Sequence, residues 1–113
     1  MPNATLTATA YGDLDRKLGT RDRIKLGNNT WALRRDDGIG IRYHWTIVAT
    51  FRPDGAMVLH SGGYRTMTTK DRIDQFLYAN RGLRLYQERG DWWIIDPHDP
   101  GYERIPFEDG MVV

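Results

Sequence analysis

The sequence has no cysteine. That excludes a disulfide framework, a thiolate metal site and a cysteine nucleophile, and it suits a reducing compartment. It also has no apolar run near the roughly 20 residues of a membrane-spanning helix, so no membrane partner is expected. The opening MPNATLTATA lacks both a basic stretch and an apolar stretch, and no signal peptide is expected. Histidine is scarce, with three residues, and net charge is only +1. Domains that bind nucleic acid are usually more basic than this.

What is present suits one small domain. The chain has 113 residues with 40% hydrophobic content, and four Trp, six Tyr and three Phe bring large buried areas per residue. The near-zero charge hides a gradient: residues 1–95 carry a net +5 and residues 96–113 a net −4. Thirteen of the sixteen cations are arginine, whose flat fork suits phosphate, carboxylate and aromatic faces. The expected organisation is a single domain over 1–113. Its parts are an N-terminal arm or short helix (1–24), a sheet-plus-helix body (25–95) and an extended, Pro-rich acidic tail (96–113).

The clearest pattern is Ile39–Phe51, IGIRYHWTIVATF. Every odd residue from Ile39 to Phe51 is apolar and the even row is mostly polar. Alternation over thirteen positions predicts one long strand with a single buried face. Before it, Thr30–Arg35 reads as a strand joined by Asp36-Asp37-Gly38, a three-residue loop with Gly38 as a bulge. That register puts Leu33 opposite Ile41 and Trp31 opposite Tyr43. After it, Pro53-Asp54-Gly55 repeats the device and sets Phe51 opposite Met57.

The remaining elements are shorter. Residues 3–10 suit an edge strand or arm, and Leu14 and Leu18 suit one or two helical turns. Arg21–Lys25 reads as a charged bridge. Thr68 is the expected N-cap of a helix over 70–79, with Ile73, Phe76 and Leu77 as its apolar stripe and Gly82 just past its end. Leu83–Glu88 and Asp91–Ile95 form a second hairpin, with Leu85 opposite Trp93. Pro97, Pro100 and Pro106 oppose a regular ladder in the tail, although Phe107, Met111 and Val112 seek burial. The predicted fold class is α+β: a twisted antiparallel β-meander of about five or more strands with one short packed α-helix.

The segments LGNNT, RRDDG, PDG, SGG and TTKDRI occur in this order over roughly residues 20–95. The set resembles a family of small proteins of unknown function in tailed bacteriophages, especially phages of actinobacteria. The resemblance implies an accessory role in the cytoplasm of an infected host. Together with the lack of a catalytic set it leads to a non-enzymatic protein with a host protein or a defence-signalling molecule as partner; the alternatives are a nucleic-acid- or nucleotide-binding module and a minor virion component. The resemblance brings no catalytic residue with it.

The residues themselves assign no catalytic set, no cofactor and no metal site. The expected positions of His44 and His60 are about 13 Å apart at strand rise, too far to share an ion. Asp36, Asp37 and Asp54 are accounted for by their turns, and Ser61 lacks the surround of a nucleophile elbow. Two binding candidates remain. The first is an anion or phosphate site at Ser61, Gly62, Gly63, Arg65, Thr68, Thr69 and Lys70, where glycines and a helix start come together. The second is a polar sheet face with Arg34, Arg42, His44, Arg52 and His60, which would suit nucleic acid or a nucleotide. Exposed sheet edges allow a monomer or a small homo-oligomer.

Overall fold

The run from Ile39 to Phe51 is two strands. The structure, a computed structural model, describes residues 11–113; the expectation for residues 3–10 lies outside them. β3 (Gly38–Tyr43) reverses at His44-Trp45 into β4 (Thr46–Phe51). This two-residue loop sets Tyr43 opposite Thr46, an odd position against an even one. By itself that would turn every later odd residue to the other face. A bulge at Val48, between the Arg42–Ile47 and Ile41–Ala49 pairs, adds one residue and restores odd-to-odd pairing down to Ile39–Phe51. The alternation therefore runs through a chain reversal without a break.

The correction moves three side chains. Trp45, expected in the core row, sits at the turn tip and is 88% exposed. Ile47 is only half-buried, while Val48, expected on the polar row, is fully buried. His44 takes a left-handed backbone (φ 53°), a conformation His adopts more readily than most residues. Its N–H donates to the Asn29 carbonyl at 2.8 Å and ties the turn to the preceding hairpin.

The first hairpin slips by one residue as well. β2 (Thr30–Arg35) meets β3 through a two-residue Asp36-Asp37 loop, with Arg35 opposite Gly38, Leu33 opposite Gly40 and Trp31 opposite Arg42. Thr30 and Ala32 therefore face the core, not Trp31 and Leu33. Gly38 serves close packing instead of a bulge: a Cβ there would lie 2.2 Å from the Phe51 carbonyl oxygen. The expected bridge at Arg21–Lys25 is largely strand β1 (Arg23–Gly27), paired with β2. The Pro53-Asp54-Gly55 loop stands as expected, with Arg52 N–H bonded to the Ala56 carbonyl and Phe51 opposite Met57 in β5 (Met57–Leu59).

Both helices close over the inner face. α1 (Tyr11–Leu18) buries Leu14 and Leu18 completely. α2 (Met67–Arg81) buries Ile73, Phe76 and Leu77, the stripe read from spacing, and Phe76 meets Phe51 edge-on at 6.3 Å. α2 is longer than the expected 70–79, and Thr66 is its N-cap, not Thr68: the Thr66 hydroxyl accepts from the Thr69 N–H at 3.3 Å. Gly82 ends it with φ 69°, its N–H donating to the Tyr78 carbonyl.

β6 (Arg84–Glu88) and β7 (Asp91–Ile95) form a separate sheet. Arg89 and Gly90 both have positive φ, so the loop has two residues and Leu85 meets Ile94, not Trp93. Leu85, Trp92 and Ile94 join the common core.

The tail does lie across the domain, and it forms short ladders despite its prolines. β8 (Ile105–Pro106) pairs with β7 and β9 (Met111–Val112) pairs with β5. Pro106 fits because β8 is an edge strand. Phe107 is buried against Trp92, with ring centroids 5.3 Å apart, whereas Ile105 and Val112 stay exposed. The main sheet runs β1-β2-β3-β4-β5-β9, antiparallel throughout. The α+β meander is the observed architecture.

Candidate functional site

The connection from β5 to α2 was expected to hold an anion, and it holds one from its own chain. Ser61 is completely buried. Its N–H and its hydroxyl both donate to Asp109 Oδ1, at 2.6 and 2.7 Å. The Gly63 N–H donates to Ser61 Oγ at 3.2 Å. Arg65 Nη2 lies 3.8 Å from Asp109 Oδ2, and His60 Nδ1 lies 4.0 Å from Oδ1. The Arg65 guanidinium also covers the rings of Trp92 and Phe107, at 4.8 and 4.9 Å. Burial pushes the Asp109 carboxyl upward, but the two Ser61 hydrogen bonds, helped by Arg65 and His60, outweigh it and hold the group below the usual carboxylate range. Ser61, Arg65 and His60 thus latch the tail. Lys70 is drawn off to Asp71 at 3.1 Å.

A pocket of about 310 Å³ opens beside this latch. Tyr43, His44, Trp45 and Tyr64 give it an aromatic wall. Thr46 of β4, with Thr66, Thr68 and Thr69 at the N-terminus of α2, lines the rest. Gly62 shapes the wall: it has φ 64°, and a Cβ there would lie 2.6 Å from the Thr46 side chain. The loop can therefore lie directly on Thr46. Among the described residues no lysine, arginine or carboxylate lines the pocket. Trp45 is 88% exposed and Tyr64 61% exposed, so both present aromatic surface to solvent at its mouth.

A sequence model of the Kyanoviridae Gp96 protein family matches residues 14–113. The chain belongs to this family. No curated protein and no solved structure matches it. The resemblance to a phage protein family stands in that coarser form, without the actinobacterial origin, and the matched span includes the whole pocket and the Asp109 latch.

In this Gp96-family chain the expected polar sheet face does not assemble. Arg34 points inward to α1, pairing with Asp15 at 2.7 Å and donating to the Gly19 carbonyl at 2.6 Å. Arg52 pairs with Asp54 in its own turn at 3.1 Å. His44 is in the β3–β4 turn with its ring against Tyr43, and His60 is beside Asp109. Of these five, Arg42 alone keeps its side chain on the outward face away from a carboxylate, with its guanidinium 5.9 Å from the Trp45 ring. Among the described residues no three His, Cys, Asp or Glu groups gather as a metal site requires.

The reading of alternation missed Trp45 and Tyr43 as pocket residues because it ran the strand through their turn. The signal available was His44 itself, a residue that tolerates positive φ. Asp109 had no local signal, since its partner is 48 residues away.

Proposed function

We propose that this chain is a non-enzymatic phage accessory protein that binds a nucleotide-type ligand, such as a defence-signalling molecule, in the host cytoplasm. One observation carries the reading: exposed Trp45 and Tyr64 line a pocket completed by Tyr43, His44 and four threonines. A planar base stacks on such rings with a favourable energy of roughly 1–3 kcal/mol. The Thr66 and Thr69 hydroxyls are bonded to each other at 3.0 Å, which leaves those of Thr46 and Thr68 freer as donors and acceptors for a sugar or phosphate. The Thr66 hydroxyl takes the Thr69 N–H, which leaves the earlier amides of α2, at Met67 and Thr68, to favour the anionic end of the ligand there. About 310 Å³ is at the small end of ligand pockets, which suits a mononucleotide better than a larger molecule. Among the described residues the pocket's lining holds no carboxylate pair, which supports binding over catalysis.

Titration of the purified chain with a panel of nucleosides and nucleotides, followed by calorimetry, tests this. At least one member is expected to bind, and Trp45→Ala is expected to weaken it at least tenfold without lowering thermal stability. Absence of binding across the panel, or unchanged binding by Trp45→Ala, overturns the reading.

A second reading rests on Met67, which is 72% exposed and sits in sequence between the pocket residues Thr66 and Thr68. With Trp45 and Tyr64 it forms the kind of aromatic and apolar anchor set that dominates protein interfaces. A host protein docked there would be captured from lysate by the native chain and lost with Trp45→Ala.

A further inference from the structure

The main sheet has a second face, and it is chemically unlike the first. Residues directly opposite on antiparallel neighbours share a face. One outward row is therefore Lys25–Trp31–Arg42–Ile47, and the next is Arg23–Leu33–Gly40–Thr50–Val58. On these rows no side chain larger than threonine is buried. Both helices bury their apolar stripes in the core cluster on the opposite side.

Charge on this face has one sign. β1–β5 contain no Asp or Glu at all. Arg23, Lys25 and Arg42 stand on β1 and β3 flanking Trp31, and Arg35 follows on β2. Among the described residues Arg23, Lys25 and Arg42 have no ion pair, and Arg35 meets Asp37 only loosely, at 3.6 Å. Unlike most arginines of the chain, Arg23 and Arg42 rest on aromatic rings instead of carboxylates: Arg23 lies 5.3 Å from the Trp31 ring centroid and Arg42 5.9 Å from that of Trp45. The Arg42 Nε is buried with no acceptor.

We infer that the outward face of β1–β4 binds single-stranded nucleic acid, through Arg23, Lys25 and Arg42 with Trp31 as the stacking platform. Adjacent strands are about 4.8 Å apart, so the cations on β1 and β3 bracket Trp31 at roughly 5 Å on each side. That spacing lets phosphates meet the cations while a base lies on the indole or on a guanidinium plane. An acidic polypeptide would satisfy the cations but would leave the Trp–Arg stack without a planar partner. The +5 net charge of residues 1–95 supplies the longer-range attraction that the nearly neutral whole conceals. This face adjoins the Trp45–Tyr64 pocket where Arg42 lies over the Trp45 ring, but its ligand is a polymer, not a mononucleotide.

The test is fluorescence anisotropy of the full chain with labelled single-stranded oligo(dT) and oligo(U) over a salt series, with heparin and polyglutamate as competitors. The native chain is expected to bind both oligonucleotides. The variant Arg23→Gln/Lys25→Gln/Arg42→Gln is expected to bind at least tenfold more weakly. Its log–log salt slope is expected to be shallower by about 2, at about 0.7 per lost cation on a single strand. Trp31→Leu is expected to weaken binding about tenfold at an unchanged slope. Unchanged urea midpoints show that these variants fold. Tyr64→Ala, in the pocket lining, is expected to lose the pocket ligand and keep the oligonucleotide, so the two sites fail separately. Native binding by the triple variant overturns the inference. So does polyglutamate competing as well as oligonucleotide per charge, or a dimer in solution that the triple variant dissolves.

Discussion

Removing the Asp109 carboxylate is expected to release the tail from the β5–α2 connection. In Asp109→Ala the buried Ser61 N–H and hydroxyl lose their shared acceptor, at 2.6 and 2.7 Å. A hydrogen bond to a charged group contributes about 1.5–3 kcal/mol. The Asp109 side chain is 34% exposed, so water recovers part of that loss, and the Arg65 and His60 contacts at 3.8 and 4.0 Å add little through solvent. The expected net cost is about 2 kcal/mol, a large share of the roughly 5–15 kcal/mol that holds a domain folded. With a urea m-value of about 1.5 kcal/mol/M, the midpoint falls by about 1.3 M.

Urea unfolding followed by tryptophan fluorescence measures this directly, because Arg65 and Phe107 both lie against Trp92. Asp109→Asn keeps a neutral acceptor and is expected to cost about half as much. The pH dependence has a definite sign. The folded-state carboxyl is lowered relative to its ordinary value, so its stabilisation is fully present above the unfolded value of about 3.9. It is lost as pH falls through that value toward the lower folded one. The gap between native and Asp109→Asn chains should therefore be constant near neutrality and close below about pH 4. A cost under about 0.5 kcal/mol for Asp109→Ala, or a gap that persists in acid, would refute the latch.

Two further substitutions probe the backbone. Gly38→Ala places a methyl 2.2 Å from the Phe51 carbonyl oxygen and is expected to cost about 3 kcal/mol. Gly90→Ala, at positive φ with nothing within 4 Å, should cost only about 1 kcal/mol in the same urea assay. Thr66→Ala is expected to lower stability by about 1 kcal/mol through loss of the N-cap. Thr68→Ala, an exposed residue, should leave the thermal midpoint unchanged; the reverse order would reassign the cap.

Much of the fold was legible because it depends on local chemistry. Pro53-Asp54-Gly55 encodes its own turn, and Ile73, Phe76 and Leu77 encode one helical face. The two hairpin registers were misread for one cause. Asp36-Asp37-Gly38 and Glu88-Arg89-Gly90 each admit a two-residue and a three-residue loop, and both put apolar residues opposite one another. Packing made the choice: the Phe51 carbonyl demands a residue without a side chain at Gly38, and Leu85 must enter the core with Ile94.

The candidate sites were less legible, for the same reason. The glycines and threonines of residues 61–70 do signal a loop that can hold an anion. Period-2 alternation, however, is blind to a reversal in which a two-residue turn and a one-residue bulge cancel, so Trp45 was placed inside when it is outside.

Composition and residue order were thus enough to determine an antiparallel α+β domain, its turn chemistry, the buried stripe of α2 and a tail that must seek cover. Only tertiary structure decided that the tail's own carboxylate fills the anion-holding loop, and that an aromatic pocket opens beside it. Hydrogen bonds and ring contacts between residues far apart in sequence depend on strand register. Register is settled by which side chains fit the shared core, a collective outcome that no single stretch encodes.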